Sequence, residues 1–334
     1  MSDSLAGMAA TFEGAMREGA RPVAVPAQSA MGEATREQCI GCRLAFTWLG
    51  QSRAVYGANL RAAAEVFGAE SSALRLSKKL LDARHPAVRA LTTLRGDARE
   101  RWVLRTLPFP EVGVRLLRRD RVDELAGECA GFASQIRDAA MRLQLERTSL
   151  LEEAERRLGS LFSMADYPVN FANAFGLSVS FPNVEPPDYL MALNPELYQR
   201  EQERVRATFE AAVAIAQSEF TEELAQLVGH LRTRLTGEGA DGRPHIFRDS
   251  AIGNIREFIA RVRYVSVETD GALASLLTDA EGLLSGVSPG ALRQDEGLRT
   301  RVAADLAGLE EQITVALPAR RIHRLAPTEE GIES

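Results

Sequence analysis

Two cysteines three positions apart, Cys39 and Cys42, are the residues whose spacing points most directly to chemistry. Cys-x-x-Cys lets two thiolates reach one tetrahedral metal, and it also serves thiol–disulfide exchange. A structural zinc needs further ligands, and the chain has neither a second Cys-x-x-Cys nor a His-x₃₋₅-His. His85, Cys129 or His245 would have to arrive from far along the sequence. No thioredoxin-like βαβ pattern flanks the pair. A bland role, two small residues at the edge of a folded segment, therefore stands beside the zinc and redox readings.

The other reactive types are scattered. His230 reads as a surface residue beside an apolar helical seam, and His245 and His323 fall in a linker and a tail. Carboxylate pairs such as Glu152-Glu153, Glu222-Glu223 and Glu310-Glu311 fit solvated helix faces paired with arginine. No phosphate loop, dinucleotide fingerprint or Gly-x-Ser-x-Gly elbow is present, which disfavours an ATPase, a dehydrogenase or an α/β-hydrolase.

Two richer constellations remain. Arg101, Arg105, Arg115, Arg118 and Arg119, with Arg99, Arg121, Trp102 and Phe109 nearby, could grip a nucleic-acid backbone. The bland alternative is an exposed helix start balanced by Asp120, Asp123 and Glu124. Residues 163–195 gather Tyr167, Phe171, Phe175, Phe181 and Tyr189 with five prolines, in a chain that is only 6% aromatic. They would form either a mini-core or a rigid aromatic tip for a protein partner.

Elements must position these groups. Over 334 residues, 45% hydrophobic and 26% charged content allows a sizeable core and argues against wholesale disorder. A net charge of −6 argues against a non-specific nucleic-acid binder. Lys78 and Lys79 are the only lysines, so nearly all cations are arginine. Sparse cysteines, no leader-like N-terminus and no spanning apolar run predict a cytoplasmic protein without a membrane segment.

The expected class is mainly α, with a long antiparallel, coiled-coil-like helical hairpin. Residues 1–35 read as a flexible tail and 36–118 as a small α+β unit. Within that unit Leu44, Phe46 and Trp48 alternate with Arg43, Ala45 and Thr47, so 42–49 reads as a short strand, with a helix as the alternative because Leu44, Trp48 and Val55 also fit a broad helical stripe. Val112 to Leu117 is a second strand able to pair with it. Helices are expected at 59–68, 71–83 and 86–105, the last opened by Pro86. From Val122 through Leu125, Cys129, Phe132, Ile136 and Ala139 to Leu143 apolar residues recur three and four apart, and Leu150, Ala154, Leu158 and Leu161 extend the stripe after one weak turn. Such a helix, about 40 residues and roughly 60 Å long, needs a partner along its side. Residues 196–236 repeat the spacing from Phe209 to Leu235, capped by Asn194 and started by Pro195. The hairpin unit is thus 119–237 with 163–195 at its bend. C-terminal helices follow over 245–317, and 318–334 is a tail.

The stretches Lys78-Lys79-Leu80-Leu81-Asp82, Thr106-Leu107-Pro108-Phe109-Pro110-Glu111-x-Gly113-x-Arg115-Leu116-Leu117 and Phe247-Arg248-Asp249-Ser250 with Asn254 resemble a family of phage and bacterial proteins. Members of that family are often encoded near MoxR-type AAA+ ATPases and von Willebrand A domain proteins. The resemblance implies a partner in an ATPase-linked, mobile-element or defence assembly, and it carries over no catalytic residue. The leading expectation is a non-enzymatic scaffold or adaptor without a cofactor, bound to a protein partner. The alternatives are a nucleic-acid-associated protein using the arginines and a metal or redox protein using Cys39 and Cys42.

Overall fold

The computed structural model describes residues 27–50, 52–236, 250–267 and 271–316. The N-terminal elements are α1 (Ala27–Gln38), β1 (Cys39–Thr47), β2 (Ser52–Val55), α2 (Ala58–Val66), β3 (Leu76–Lys79) and α3 (Pro86–Leu104). Next come β4 (Leu107–Pro108), β5 (Arg115–Arg118), α4 (Val122–Leu145), α5 (Arg147–Leu158) and β6 (Gly176–Ser180). The remainder is helical: α6 (Tyr189–Leu193), α7 (Pro195–Thr236), α8 (Ser250–Val265), α9 (Gly271–Leu284), α10 (Pro289–Gln294) and α11 (Glu296–Ala316). The protein is mainly α, with a small N-terminal strand-and-helix unit and one long helix.

The alternating residues form the centre of an antiparallel sheet in the order β4-β5-β1-β6. Cys39 to Cys42 pair with β5, and Arg43 to Thr47 pair with β6. Period two sends Cys42 and Leu44 to one face, where they pack with Trp102, Leu125 and Cys129 of α3 and α4. Cys39 and Leu116 face the opposite way, into a core shared with Val205 and Phe209 of α7. The sheet is thus a wall between α4 and α7.

That wall overturns the expected hairpin pairing. Helix α4 packs on α3, β6 and the turn at Phe171–Ala174, whereas α7 packs on α1, α8 and α11. The two apolar seams are real but face different partners. Leu125, Cys129, Ile136, Ala139 and Leu143 are buried in α4, as are Phe209, Ala212, Ala216, Phe220, Leu224 and Leu231 in α7. Periodicity identifies an apolar face; it does not say what covers that face. The first seam also breaks at Glu146 (φ −92°, ψ 7°), so its helix ends before α5 begins.

Asn194 starts α7 as expected: its side chain accepts from the Leu197 N–H at 3.0 Å. A second side-chain cap, Asp295 Oδ1 accepting from Leu298 N at 2.9 Å, divides the expected helix after Pro289 into α10 and α11. Two further expectations change. Residues 27–35 belong to α1, which lies along α7, instead of to a tail; residues 1–26 and 318–334 fall outside the described chain. The expected helix at 71–83 is instead a single 3₁₀ turn, Ser71–Ala73, followed by β3. The Val55↔Leu76 register of β2 with β3 explains the strand, because Leu74 and Leu76 follow the strand period over that stretch.

Candidate partner-binding surface

Residues 52–79 form an arm. Strands β2 and β3 pair with one another, α2 packs on the Ser71–Ala73 turn, and most of the side chains are exposed. Val55 and Ala64 are its buried apolar residues, too few for an independent core. The arm is held at its base. Lys78 Nζ lies 2.5 Å from Asp166 Oδ2 and donates to the Leu161 carbonyl at 2.6 Å. The next residue but one, Leu80, is fully buried, and its carbonyl accepts from Tyr167 Oη at 2.9 Å and from Arg157 at 2.9 Å. Beyond this anchor, Tyr56 (77% exposed), Val66 (79%) and Phe67 (77%) stand in solvent. Tyr56 stands just before α2, and Val66 and Phe67 stand at its C-terminal end.

The aromatic segment expected to form the tip is divided between two environments. Tyr167, Phe171 and Phe175 are buried in the core of α3, α4 and α5, so the expectation of a five-aromatic tip is corrected. Phe171 N–H donates to Gln144 Oε1 at 2.6 Å, and the Phe175 ring meets Trp48 edge-on at 5.0 Å. Burial is the first cause that raises the Tyr167 hydroxyl pKa. Only Phe181 and Tyr189 remain exposed, with Met191 and Leu193 beside the latter. An aromatic concentration in an aromatic-poor chain here marks a core closure, because strand β6 has to be bound to the sheet.

The arginine cluster is a junction. Arg105 lies 2.8 Å from Glu128 and 3.3 Å from Glu124, and Arg101 lies 3.6 Å from Glu128. Arg115 donates to Thr106 Oγ1 at 2.8 Å and to the Thr106 carbonyl at 3.0 Å. Arg118 joins Asp120 at 2.8 Å and donates to the Ser266 carbonyl at 3.1 Å, tying β5 to the C-terminal end of α8. Tyr264 completes the seam between Arg105 and Arg121, whose guanidinium carbons lie 4.5 and 4.7 Å from its ring centre. Its hydroxyl donates to Glu124 at 2.6 Å. Burial, then that bond, pushes Tyr264 up to about 12, and the same bond is the first cause holding the Glu124 carboxyl below its ordinary range. Beside the junction a groove of about 620 Å³ is lined by Arg101, Arg105, Phe258, Arg261 and Glu223, and there Arg261 pairs with Glu223 at 2.5 Å. Among the five arginines read as phosphate contacts, Arg119 alone is exposed without an ion pair among the described residues. The signal for the junction, Asp120, Glu124 and Glu128 interleaved with arginine, was present in the sequence; Tyr264 was not foreseeable from spacing.

The cysteine pair is also corrected. Residues three apart on a strand face opposite ways, so Cys39 packs against Leu116 and Phe209 while Cys42 packs with Trp102 and Cys129. One ion cannot take both thiolates across the sheet. Trp102 Nε1 donates to Cys42 Sγ at 3.3 Å. Burial pushes Cys39 up to about 12 and Cys129 up to about 11, and it raises Cys42 against the opposing Trp102 bond. All three thiols are therefore expected to resist Ellman's reagent at pH 8 in the native protein and to react together, three per chain, after unfolding. A rapid native reaction at Cys39 or Cys42 would contradict their placement.

His85 Nε2 lies 3.2 Å from Glu146, and His230 is exposed on α7; His245 and His323 lie outside the described residues. Among the described residues no group of three or more His, Cys, Asp or Glu is placed to hold a metal ion, and no helix is long and apolar enough to cross a membrane. Comparison with protein-family models, with curated proteins and with solved structures finds no match to this chain.

Proposed function

We propose that this chain is a non-enzymatic, cytoplasmic helical adaptor that holds a protein partner through the arm at 52–79. The observation that carries this reading is the exposure of Tyr56, Val66 and Phe67 on an arm anchored to the body at its base through Lys78. Rigid aromatic and branched aliphatic groups supply large contact area at low entropic cost, and a few such residues carry most of an interface's energy. The body behind the arm, a sheet clamped between α3–α4 and α7, supplies a stiff mount. The resemblance noted above makes a MoxR-type AAA+ ATPase the first partner class to try.

The test is capture from the native host with tagged wild-type chain and with a Tyr56→Ser/Phe67→Ser variant. Both substituted side chains are exposed, so far-ultraviolet circular dichroism and melting temperature should be unchanged. Retention of the wild-type partner should fall about 100-fold, from roughly 1–2 kcal/mol per anchor. Equal capture by both proteins would remove the arm from the interface.

A further inference from the structure

At the foot of the arm, where Ser52 pairs with Lys79, lies a pocket of about 140 Å³. Its wall is apolar: Trp48, Leu81, Val88, Leu91 and Phe175, of which Leu91 is 1% exposed. A volume of about 150 Å³ lined by such groups is enough for a single benzene-sized ring. Trp48 and Phe175 meet edge to face at 5.0 Å, leaving aromatic surface for a third ring to pack against.

The rim has one sign of charge. Lys79 lines the pocket, and the Arg95 guanidinium lies over the Trp48 ring at 5.0 Å and over Phe46 at 5.3 Å. Arg95 follows Leu91 and Thr92 on the same face of α3, outside the lining itself but adjoining it through the Trp48 ring that it covers. Among the described residues neither Lys79 nor Arg95 has a carboxylate within ion-pair distance, whereas the neighbouring Lys78 is held by Asp166. Two unpaired cations above an apolar slot repel a cationic ligand and offer charge-assisted hydrogen bonds to an anion. The apolar wall in turn selects against a wholly polar anion such as phosphate.

We propose that this pocket binds a small aromatic monocarboxylate, with its ring among Trp48, Leu91 and Phe175 and its carboxylate against Lys79 and Arg95. The site does not depend on the adaptor reading, since it needs only the geometry at the arm's base.

Titration of the full chain with sodium benzoate, followed by the indole N–H signals of its two tryptophans, tests this directly. Saturable movement of the Trp48 signal with a Kd of about 1 mM is expected, while Trp102, held by Cys42, stays in place. Benzyl alcohol, with the same ring and no charge, should bind about tenfold more weakly. A Lys79→Met/Arg95→Met variant should lose about tenfold for benzoate and nothing for benzyl alcohol, and the same spectra report that it is folded. No saturation by about 20 mM benzoate, equal affinity for the alcohol, or unaltered benzoate binding by the folded variant would each overturn the proposal. A peptide ending in phenylalanine that binds about tenfold tighter than benzoate would overturn it too, assigning the pocket to a partner's chain end.

Discussion

Phe171→Ala should lower the unfolding free energy by about 3–5 kcal/mol, measured by urea denaturation at neutral pH. The ring is fully buried, in the core that also holds Ile136, Leu143, Leu150 and Ala154 of α4 and α5. Its backbone N–H is fixed by Gln144, and the Arg147 guanidinium lies 5.8 Å from its ring centre. Removing it leaves a void bounded by helices that are themselves pinned by α3 and the sheet, so collapse of the site is limited. The loss should extend to strand β6, which follows within a few residues. Were the segment a recognition tip, the same substitution would leave stability nearly unchanged; a loss below about 1 kcal/mol would therefore restore that view.

Gly41→Val should be the most damaging single change in the sheet, costing about 3 kcal/mol or more and leaving little folded protein at 37 °C. A Cβ at position 41 would lie 2.6 Å from the Pro182 carbonyl oxygen and 2.8 Å from Val184 Cγ1. A backbone carbonyl cannot swing aside like the end of a long side chain. Residues 182–184 could yield only by lifting off β1, which would disturb β6 just before them and the Arg36–Glu185 ion pair (2.8 Å) just after. Circular dichroism melts of Gly41→Ala and Gly41→Val should rank in that order below wild type. A Gly41→Val protein that melts like wild type would mean that residues 182–184 do not cross the strand as described.

Much of the local structure is legible in the sequence. Asn194 and Pro195 announce α7, Pro86 announces α3, and the Leu44/Phe46 alternation announces β1. Each of these signals acts over a few residues, where backbone chemistry decides. The choice of partner is different. The seams of α4 and α7 carry the same spacing, and nothing in a period distinguishes a helix that packs on its twin from one that packs on opposite faces of a sheet. Strand β6 was missed because it is only five residues long and lies in a segment dominated by proline and aromatic signals. The site was legible in inverse proportion to its aromatic content. Tyr167, Phe171 and Phe175 drew attention and proved to be core, while Tyr56 and Phe67 stand singly in an alanine-rich stretch. Their exposure follows from the arm's failure to fold back on the body, which is a tertiary fact.

The Cys39–Cys42 spacing makes the same point at smaller scale. Cys-x-x-Cys brings two thiols together on a turn or at a helix start, and it separates them when the intervening residues are extended. Whether the motif is chemistry or packing depends on secondary structure, and the pairing of Cys39 to Cys42 with β5 decides it here.

The central claim, that the arm and not the aromatic segment is the working surface, is tested most directly by hydrogen–deuterium exchange with and without the captured partner. In the free protein the arm should exchange fast and residues 166–180 slowly, as few buried contacts in one and many in the other require. Addition of the partner should bring new protection to 52–79 and leave 166–180 as it was. New protection confined to 181–193, with 52–79 unchanged, would contradict the account and return the interface to the exposed side chains of Phe181, Tyr189 and Leu193.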